Sequence, residues 1–183
     1  MNLNELSKEI HQNAVDHGFW DEERDFGEII ALCHSELSEA LEEARAGKPM
    51  FYFKSYYSPA GYEIYTDMSE WHGEKPEGIA VELADCVIRI LDWFGYKNKN
   101  LPYSRFYDFS KTESFCRFIS GCHVCLARAF EFEYDQDTWD KSMFGCINGI
   151  YIWAKQNNLN FDKIIHIKMD YNKTRPYMHG KKF

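Results

Sequence analysis

The segment from about residue 77 to 96 constrains the fold of this chain most strongly. It starts just after Pro76 and ends near Gly95, and apolar residues occupy almost its whole helical circumference: Ile79, Leu83, Val87, Ile90, Leu91 and Phe94. A surface helix is apolar along one stripe only, whereas a helix that is apolar nearly all round is buried. The pattern therefore predicts a central helix, in which the acids Glu82 and Asp85 require an explanation.

Helical periodicity also dominates the rest of the chain. Further helices are predicted over five segments, about 3–17, 25–46, 110–132, 137–157 and 160–171. The second of these ends where Gly47 is followed by Pro49, a typical stop signal. Strand-like alternation is scarce, so the predicted class is all-α, a helical bundle. We predict one domain over residues 1–183.

One stretch, residues 48–76, differs in composition from the helices around it. It is rich in Tyr, Phe, Gly, Ser and Pro, and Pro59-Ala60-Gly61 is a turn signal. We interpret it as an aromatic-rich insertion or loop that contains a short hairpin.

Charge is distributed unevenly along the chain. The 183 residues include 29 Asp and Glu against 21 Lys and Arg, a net charge of −8, which disfavours a partner such as long nucleic acid or an anionic membrane because both need a basic surface. Residues 1–47 contain twelve acids and three bases, whereas residues 163–183 contain six bases and one acid. A site built from both ends would combine carboxylates with cations.

The sequence also suggests a cellular compartment. The N-terminus lacks the pattern of a signal peptide, and no apolar run approaches the 18 residues of a membrane span. Six cysteines without a secretion signal are typical of reduced thiols. We predict a cytoplasmic protein. Cys122 and Cys125 have a spacing that can bind zinc, but without a second pair we favour thiols packed in the core of the bundle.

A weak internal repeat relates the two halves of the helical pattern. At an offset of 60 residues, Cys86 and Trp93 match Cys146 and Trp153, and at an offset of 89 residues the pair Cys33-His34 matches Cys122-His123. The two offsets differ by 29 residues, the length of segment 48–76. We hypothesise a degenerate duplication, with chance similarity between apolar helices as the alternative.

Two acidic pairs carry the candidate chemistry. Glu36 and Glu39 on the second helix, and Glu82 and Asp85 on the third, have an i, i+3 spacing that places both carboxylates of a pair on one helical face. If the two helices pack side by side, four carboxylates converge, which is a typical site for Mg²⁺. Either pair alone is more typical of a solvated face. In the second half of the repeat the acids are replaced by Cys125, Arg128, Ser142 and Gly145, as expected if the acids serve function rather than folding.

Three blocks of the sequence together resemble a known family. They are His34-Ser35-Glu36-Leu37-Ser38-Glu39, the run from Glu77 to Asp85, and the tail from Tyr171 to Gly180. They resemble MazG-like nucleotide pyrophosphohydrolases of the all-α NTP pyrophosphatase superfamily, which includes dimeric dUTPases. The resemblance covers under half of the chain. The long spacer between Glu39 and Glu82, and the long stretch between Asp85 and the tail, depart from the family pattern.

The resemblance implies an activity and a set of site residues. It implies Mg²⁺-dependent hydrolysis of a (deoxy)nucleoside triphosphate to the monophosphate and pyrophosphate, with Mn²⁺ as an alternative cation and a homodimer as one assembly. Glu36, Glu39, Glu82 and Asp85 would hold the metal. Glu39 and Glu36 are the candidate catalytic residues, and in our assignment Glu39 would accept the proton of the attacking water. Asn172, Lys173 and Arg175 would contact phosphates.

Base recognition has weaker candidates. His34 lies one helical turn before Ser38, and Trp20 just precedes the second helix, so that either could contact a base. For both residues, packing in the core is an equal alternative.

Two other functions are alternatives to nucleotide hydrolysis. A non-catalytic nucleotide-binding or regulatory helical protein would retain the same site for sensing. A di-iron or di-manganese bundle would need Glu-x-x-His pairs, and in this chain no Glu or Asp stands three residues before any His, so we disfavour it.

Overall fold

The computed structural model describes residues 1–58, 61–102, 109 and 114–180. Within these ranges the chain forms six α-helices and one small sheet. The helices are α1 (Leu3–Asp16), α2 (Phe26–Arg45), α3 (Ile79–Tyr96), α4 (Phe115–Glu131), α5 (Gln136–Gln156) and α6 (Phe161–Lys173). The strands are β1 (Tyr52–Ser58), β2 (Gly61–Tyr65) and β3 (Pro76–Glu77). The prediction of an all-α helical bundle is confirmed, with the sheet as a minor addition.

Side chains at the helix starts explain why the helices begin close to their predicted positions. The side chain of Asn2 accepts hydrogen bonds from the backbone N–H groups of Asn4 and Glu5, and Asp135 and Asn160 cap α5 and α6 in the same way. Such caps satisfy donors that a helix leaves unpaired in its first turn. The predicted start of the fourth helix, residues 110–113, lies outside the described residues.

The small sheet is built from the aromatic-rich segment. β1 pairs with β2 in antiparallel register, with Phe53 opposite Tyr65, and β3 adds on the other side of β1 with Glu77 opposite Tyr52. The predicted hairpin is therefore confirmed, although its turn residues 59 and 60 lie outside the described part of the chain. Phe51 and Phe53 are buried and join the helical core.

The third helix lies at the centre of the bundle, as its sequence predicts. α3 packs against α1, α2, α5 and α6. Nine of its apolar residues have no solvent exposure, namely Ala80, Val81, Leu83, Ala84, Cys86, Val87, Ile90, Leu91 and Phe94. This position brings the acids of α3 against α2 on one side and α6 on the other.

The contacts between helices have the symmetry that an internal repeat predicts. α2 packs on α3 as α4 packs on α5, and α2 also packs on α4. Four buried thiols lie in a row along these interfaces, each close enough to the next to affect its pKa, in the order Cys33, Cys86, Cys146, Cys122. If α2 is exchanged with α4 and α3 with α5 at the two sequence offsets, the order of the thiols in this row is reversed. The same exchange maps the contact between His34 and His123 onto itself. The pairing supports the duplication hypothesis, and it places Cys122 and Cys125 in the core as expected.

None of the described helices combines the length and the apolar composition that crossing a bilayer requires.

Candidate metal centre

Three carboxylates meet where α2 packs on α3. The side chains of Glu36 on α2 and of Glu82 and Asp85 on α3 place carboxylate oxygens within 4.8 Å of one another. Glu36 is only 6% exposed, and Glu82 and Asp85 are partly buried. Three of the four acids predicted from the sequence are thus brought together by the packing of two amphipathic helices.

Backbone geometry at Gly78 fixes the start of α3 and therefore the position of Glu82. The N–H groups of Ile79 and Ala80 donate to the carbonyl oxygens of Pro49 and Met50, at 3.4 and 2.8 Å. Gly78 has φ of 114°, and a Cβ there would lie 2.8 Å from both carbonyl oxygens. Only glycine accommodates both the backbone angle and the close approach.

Crowding of the carboxylates changes their proton affinity. Burial, followed by the charge of Asp85, raises the pKa of Glu36 to about 7, although Arg89 opposes the rise. Burial and the charge of Asp85 likewise raise the pKa of Glu82 to about 8, with Lys168 opposing. Three like charges close together in a desolvated site disfavour full ionisation unless a cation is present.

Two cations of the chain partly neutralise the cluster. Arg89 donates from Nε to Glu36 Oε1 at 2.7 Å, and Lys168 Nζ lies 2.7 Å from Asp85 Oδ2. Lys168 is only 5% exposed. Burial alone would lower the pKa of Lys168, but the charges of Asp85 and Glu82 outweigh it and raise that pKa. The carboxylates therefore hold both cations in their charged forms.

Glu39, the fourth predicted acid, lies outside this group of three. Its side chain is exposed, and Oε1 accepts a hydrogen bond from Ser35 Oγ at 3.1 Å. It is still near enough for its charge to contribute to the raised pKa values of Glu36 and Glu82. Its predicted roles as metal ligand and proton acceptor stay predictions.

The C-terminal residues named from the sequence separate into two groups. Asn172 is 8% exposed and, with Arg175, lines a cavity of about 100 Å³ that also touches Asp85 and Arg89. Lys173 instead points to exposed acids, with Nζ 3.1 Å from Asp170 and 3.4 Å from Glu9. Its assignment to phosphate binding remains a prediction that these contacts do not support.

Sequence reasoning missed Lys168, the cation that reaches the cluster. Lys168, Asn172 and Arg175 follow one another at i, i+4 and i+7, so they share one face across α6 and the residues after it. That spacing is visible in the sequence and could have identified Lys168 once Asn172 and Arg175 were chosen.

The two candidates for base recognition both have partners within the protein. The rings of His34 and His123 are stacked, with Nδ1 atoms 2.6 Å apart, at the contact of α2 with α4. Trp20 donates from Nε1 to Asp92 at 3.0 Å and stacks on Tyr96. These contacts favour the packing alternative for both residues, and their roles in binding a base stay predictions.

Comparison of the chain with protein-family models, with curated proteins and with solved structures finds no match in any of the three.

Proposed function

We propose that the protein hydrolyses a (deoxy)nucleoside triphosphate to the monophosphate and pyrophosphate with the help of Mg²⁺, the activity of the MazG-like family that its sequence resembles. The observation that carries the proposal is the cluster of Glu36, Glu82 and Asp85, whose carboxylate oxygens lie within 4.8 Å of one another beside the buried Lys168 and the partly buried Arg89. Arg89 and Lys168 neutralise only part of this negative charge, so three acids this close together in a desolvated site favour a further cation.

The donor set fits a hard divalent cation. All three candidate ligands offer carboxylate oxygens, which Mg²⁺ and Mn²⁺ prefer over nitrogen or sulfur. Burial and the charge of Asp85 raise the pKa values of Glu36 and Glu82, and a bound cation would favour the ionised form of both. When bound, such a cation neutralises phosphate charge and makes water a stronger nucleophile.

The residues around the cluster are suited to a bound triphosphate. Lys168 and Arg89 already lie against the carboxylates, and Arg175 lines the adjoining cavity. Arginine binds phosphate oxygens as a planar fork and lysine as a point charge, so these groups would orient the phosphate chain. Glu39, exposed and one turn from Glu36, is the acid available to accept the proton from the attacking water.

The test is release of pyrophosphate from a panel of ribo- and deoxynucleoside triphosphates with Mg²⁺. We expect the wild type to turn over at least one nucleotide. The turnover rate of the double variant Glu39→Gln/Glu82→Gln should be at least about 100-fold lower. Glu42→Gln is the matched control because Glu42 is an exposed acid on the same helix, paired with Arg45. If wild type and double variant release pyrophosphate equally on every nucleotide, the proposal is wrong.

A further inference from the structure

The cavity beside the cluster is bordered on one side by residues near the C-terminal end of the described chain. Asp85 and Arg89 border it on the cluster side, and Arg175 and His179 border it on the C-terminal side. Its volume is about 100 Å³, larger than one water molecule needs.

Two polar atoms at this cavity lack partners. Among the residues that the structure describes, none offers a hydrogen bond to Asn172 Oδ1 or His179 Nε2, although both atoms are buried. Buried polar atoms in native proteins are nearly always hydrogen-bonded. Their placement at a cavity is therefore the arrangement expected if a ligand supplies the missing bonds.

His179 reaches the cavity from the segment Tyr177–Gly180, which we call the strap. It lies on the turn between α1 and α2 through few contacts. Tyr177 Oη donates to Asp21 Oδ2 at 2.6 Å, and the N–H of Met178 donates to the carbonyl oxygen of His17 at 2.8 Å. The ring of His179 packs edge-on against Phe19. The anchoring Tyr177 is 60% exposed, so solvent competes for its hydrogen bond.

The strap also holds an unfavourable backbone conformation. Met178 and His179 have φ of 45° and 50°, the left-handed region that residues other than glycine rarely adopt. Two such residues in succession make the closed form costly, and release of the strap would relieve that cost. The closed strap is thus held by the exposed hydrogen bond of Tyr177, one backbone hydrogen bond and the packing of the partly buried His179 ring, against a backbone that favours release.

The turn that receives the strap depends on a glycine. Gly18 ends α1 with φ of 80°, and a Cβ at this position would overlap the ring of Tyr177. The absence of a side chain at residue 18 therefore lets the Tyr177 ring lie directly on the backbone. A substitution of Gly18 can therefore displace the strap without changing any residue of the strap.

We propose that the strap is a gate over this cavity: it lifts from the turn between α1 and α2 to admit a ligand and then closes over it. The identity of the ligand rests on the proposed function, under which it is a nucleotide whose phosphates lie at the carboxylate cluster; the cavity of about 100 Å³ holds only one small group of that nucleotide. The gate itself depends only on the contacts of the strap.

A gate has a kinetic signature that differs from that of a binding residue. If the strap is closed most of the time both with and without ligand, weakening its anchor raises the association and dissociation rates together and leaves the dissociation constant nearly unchanged. A residue that binds the ligand in the closed state would instead raise the dissociation rate and weaken affinity.

The first test is hydrogen exchange of the strap in the protein without ligand. We expect the peptide that contains the Met178 amide to exchange through openings far more frequent than global unfolding. Gly18→Ala should accelerate that exchange at least about tenfold, because the added Cβ would overlap the Tyr177 ring and displace it. Gly47→Ala is the matched control, since Gly47 also ends a helix at positive φ but has open space around it. Exchange only through global unfolding, or equal effects of the two variants, would overturn the gate.

The second test measures nucleotide binding by stopped flow. The probe is the non-hydrolysable α,β-imido analogue of the nucleotide that the panel identifies, with Mg²⁺. Tyr177→Phe removes one hydrogen bond to a carboxylate, so both rate constants should rise about fivefold while the dissociation constant stays within about twofold. A weaker affinity at an unchanged association rate would contradict the gate. If the panel yields no substrate, the proposed function fails, and hydrogen exchange alone decides whether the strap opens.

Discussion

Raising the pH without divalent cations is expected to destabilise this protein through Glu36 and Glu82. Burial and the charge of Asp85 raise the pKa values of both groups, to about 7 and about 8, so the folded state binds protons there that the unfolded state has already lost. A group whose pKa is raised by folding stabilises the protein fully below its ordinary pKa of 4.5, and this contribution disappears as the pH rises through the folded-state value.

The size of the effect between pH 6 and pH 9 follows from these values. One pKa unit corresponds to about 1.4 kcal/mol, so ionising Glu36 in the folded protein costs about 1.4 kcal/mol over this range and ionising Glu82 about 2.7 kcal/mol. The free energy of unfolding should therefore fall by about 4 kcal/mol, which for a chain of this length lowers the melting temperature by roughly 8–16 °C.

The assay is thermal unfolding from pH 6 to pH 9 in a chelator, for the wild type and for Glu36→Gln/Glu82→Gln. All other titrating groups are common to the two proteins, so the difference between their pH profiles isolates the two acids. Saturating Mg²⁺ should remove most of the wild-type loss, because the cation replaces the protons. If the wild type loses no more stability than the double variant as the pH rises in chelator, the reasoning about the cluster is refuted.

Two further predictions concern the surroundings of the cluster. Lys168→Met leaves the partly buried Asp85 without its ion-pair partner, so the free energy of unfolding in chelator should fall by about 3–5 kcal/mol at pH 8. Mg²⁺ should restore part of that free energy, which denaturant titration with and without Mg²⁺ measures. An equal loss of stability under both conditions would contradict the prediction. Gly78→Ala forces a Cβ against the carbonyl oxygen of Met50 at positive φ, so it should cost about 2–4 kcal/mol in the same titration, whereas a cost below about 1 kcal/mol would show that the start of α3 is not fixed in this way.

The helices could be predicted from the sequence because their signals are local. Gly47 ends α2 at φ of 66°, and the apolar pattern of residues 77–96 identified the central helix. The convergence of Glu36 with Glu82 and Asp85 needed only one further assumption, that the two helices pack side by side. The i, i+3 spacing of the acids then determines which faces meet.

The cationic side of the site could not be predicted with the same success. Lys168 and Lys173 both lie on α6 among residues of mixed polarity, and composition alone does not distinguish the buried lysine from the exposed one. The distinction arises from which face of α6 packs on α3, which is a tertiary property. The position of Trp20 just before α2 suggests a contact with a base. Its N–H donates to Asp92, a contact between residues 72 positions apart, which the local sequence does not predict.

The most direct test of the account is whether the carboxylate cluster binds a divalent cation in the absence of nucleotide. Titration of Mn²⁺ followed by electron paramagnetic resonance at pH 8 counts the bound ions, and Glu42→Gln again provides the control on the exposed face. A metal site at the cluster predicts saturable Mn²⁺ binding to the wild type and to Glu42→Gln, with an Mn²⁺ affinity at least about tenfold lower in Glu82→Gln/Asp85→Asn. Equal Mn²⁺ affinity in all three proteins, or no saturable binding to the wild type, would contradict it.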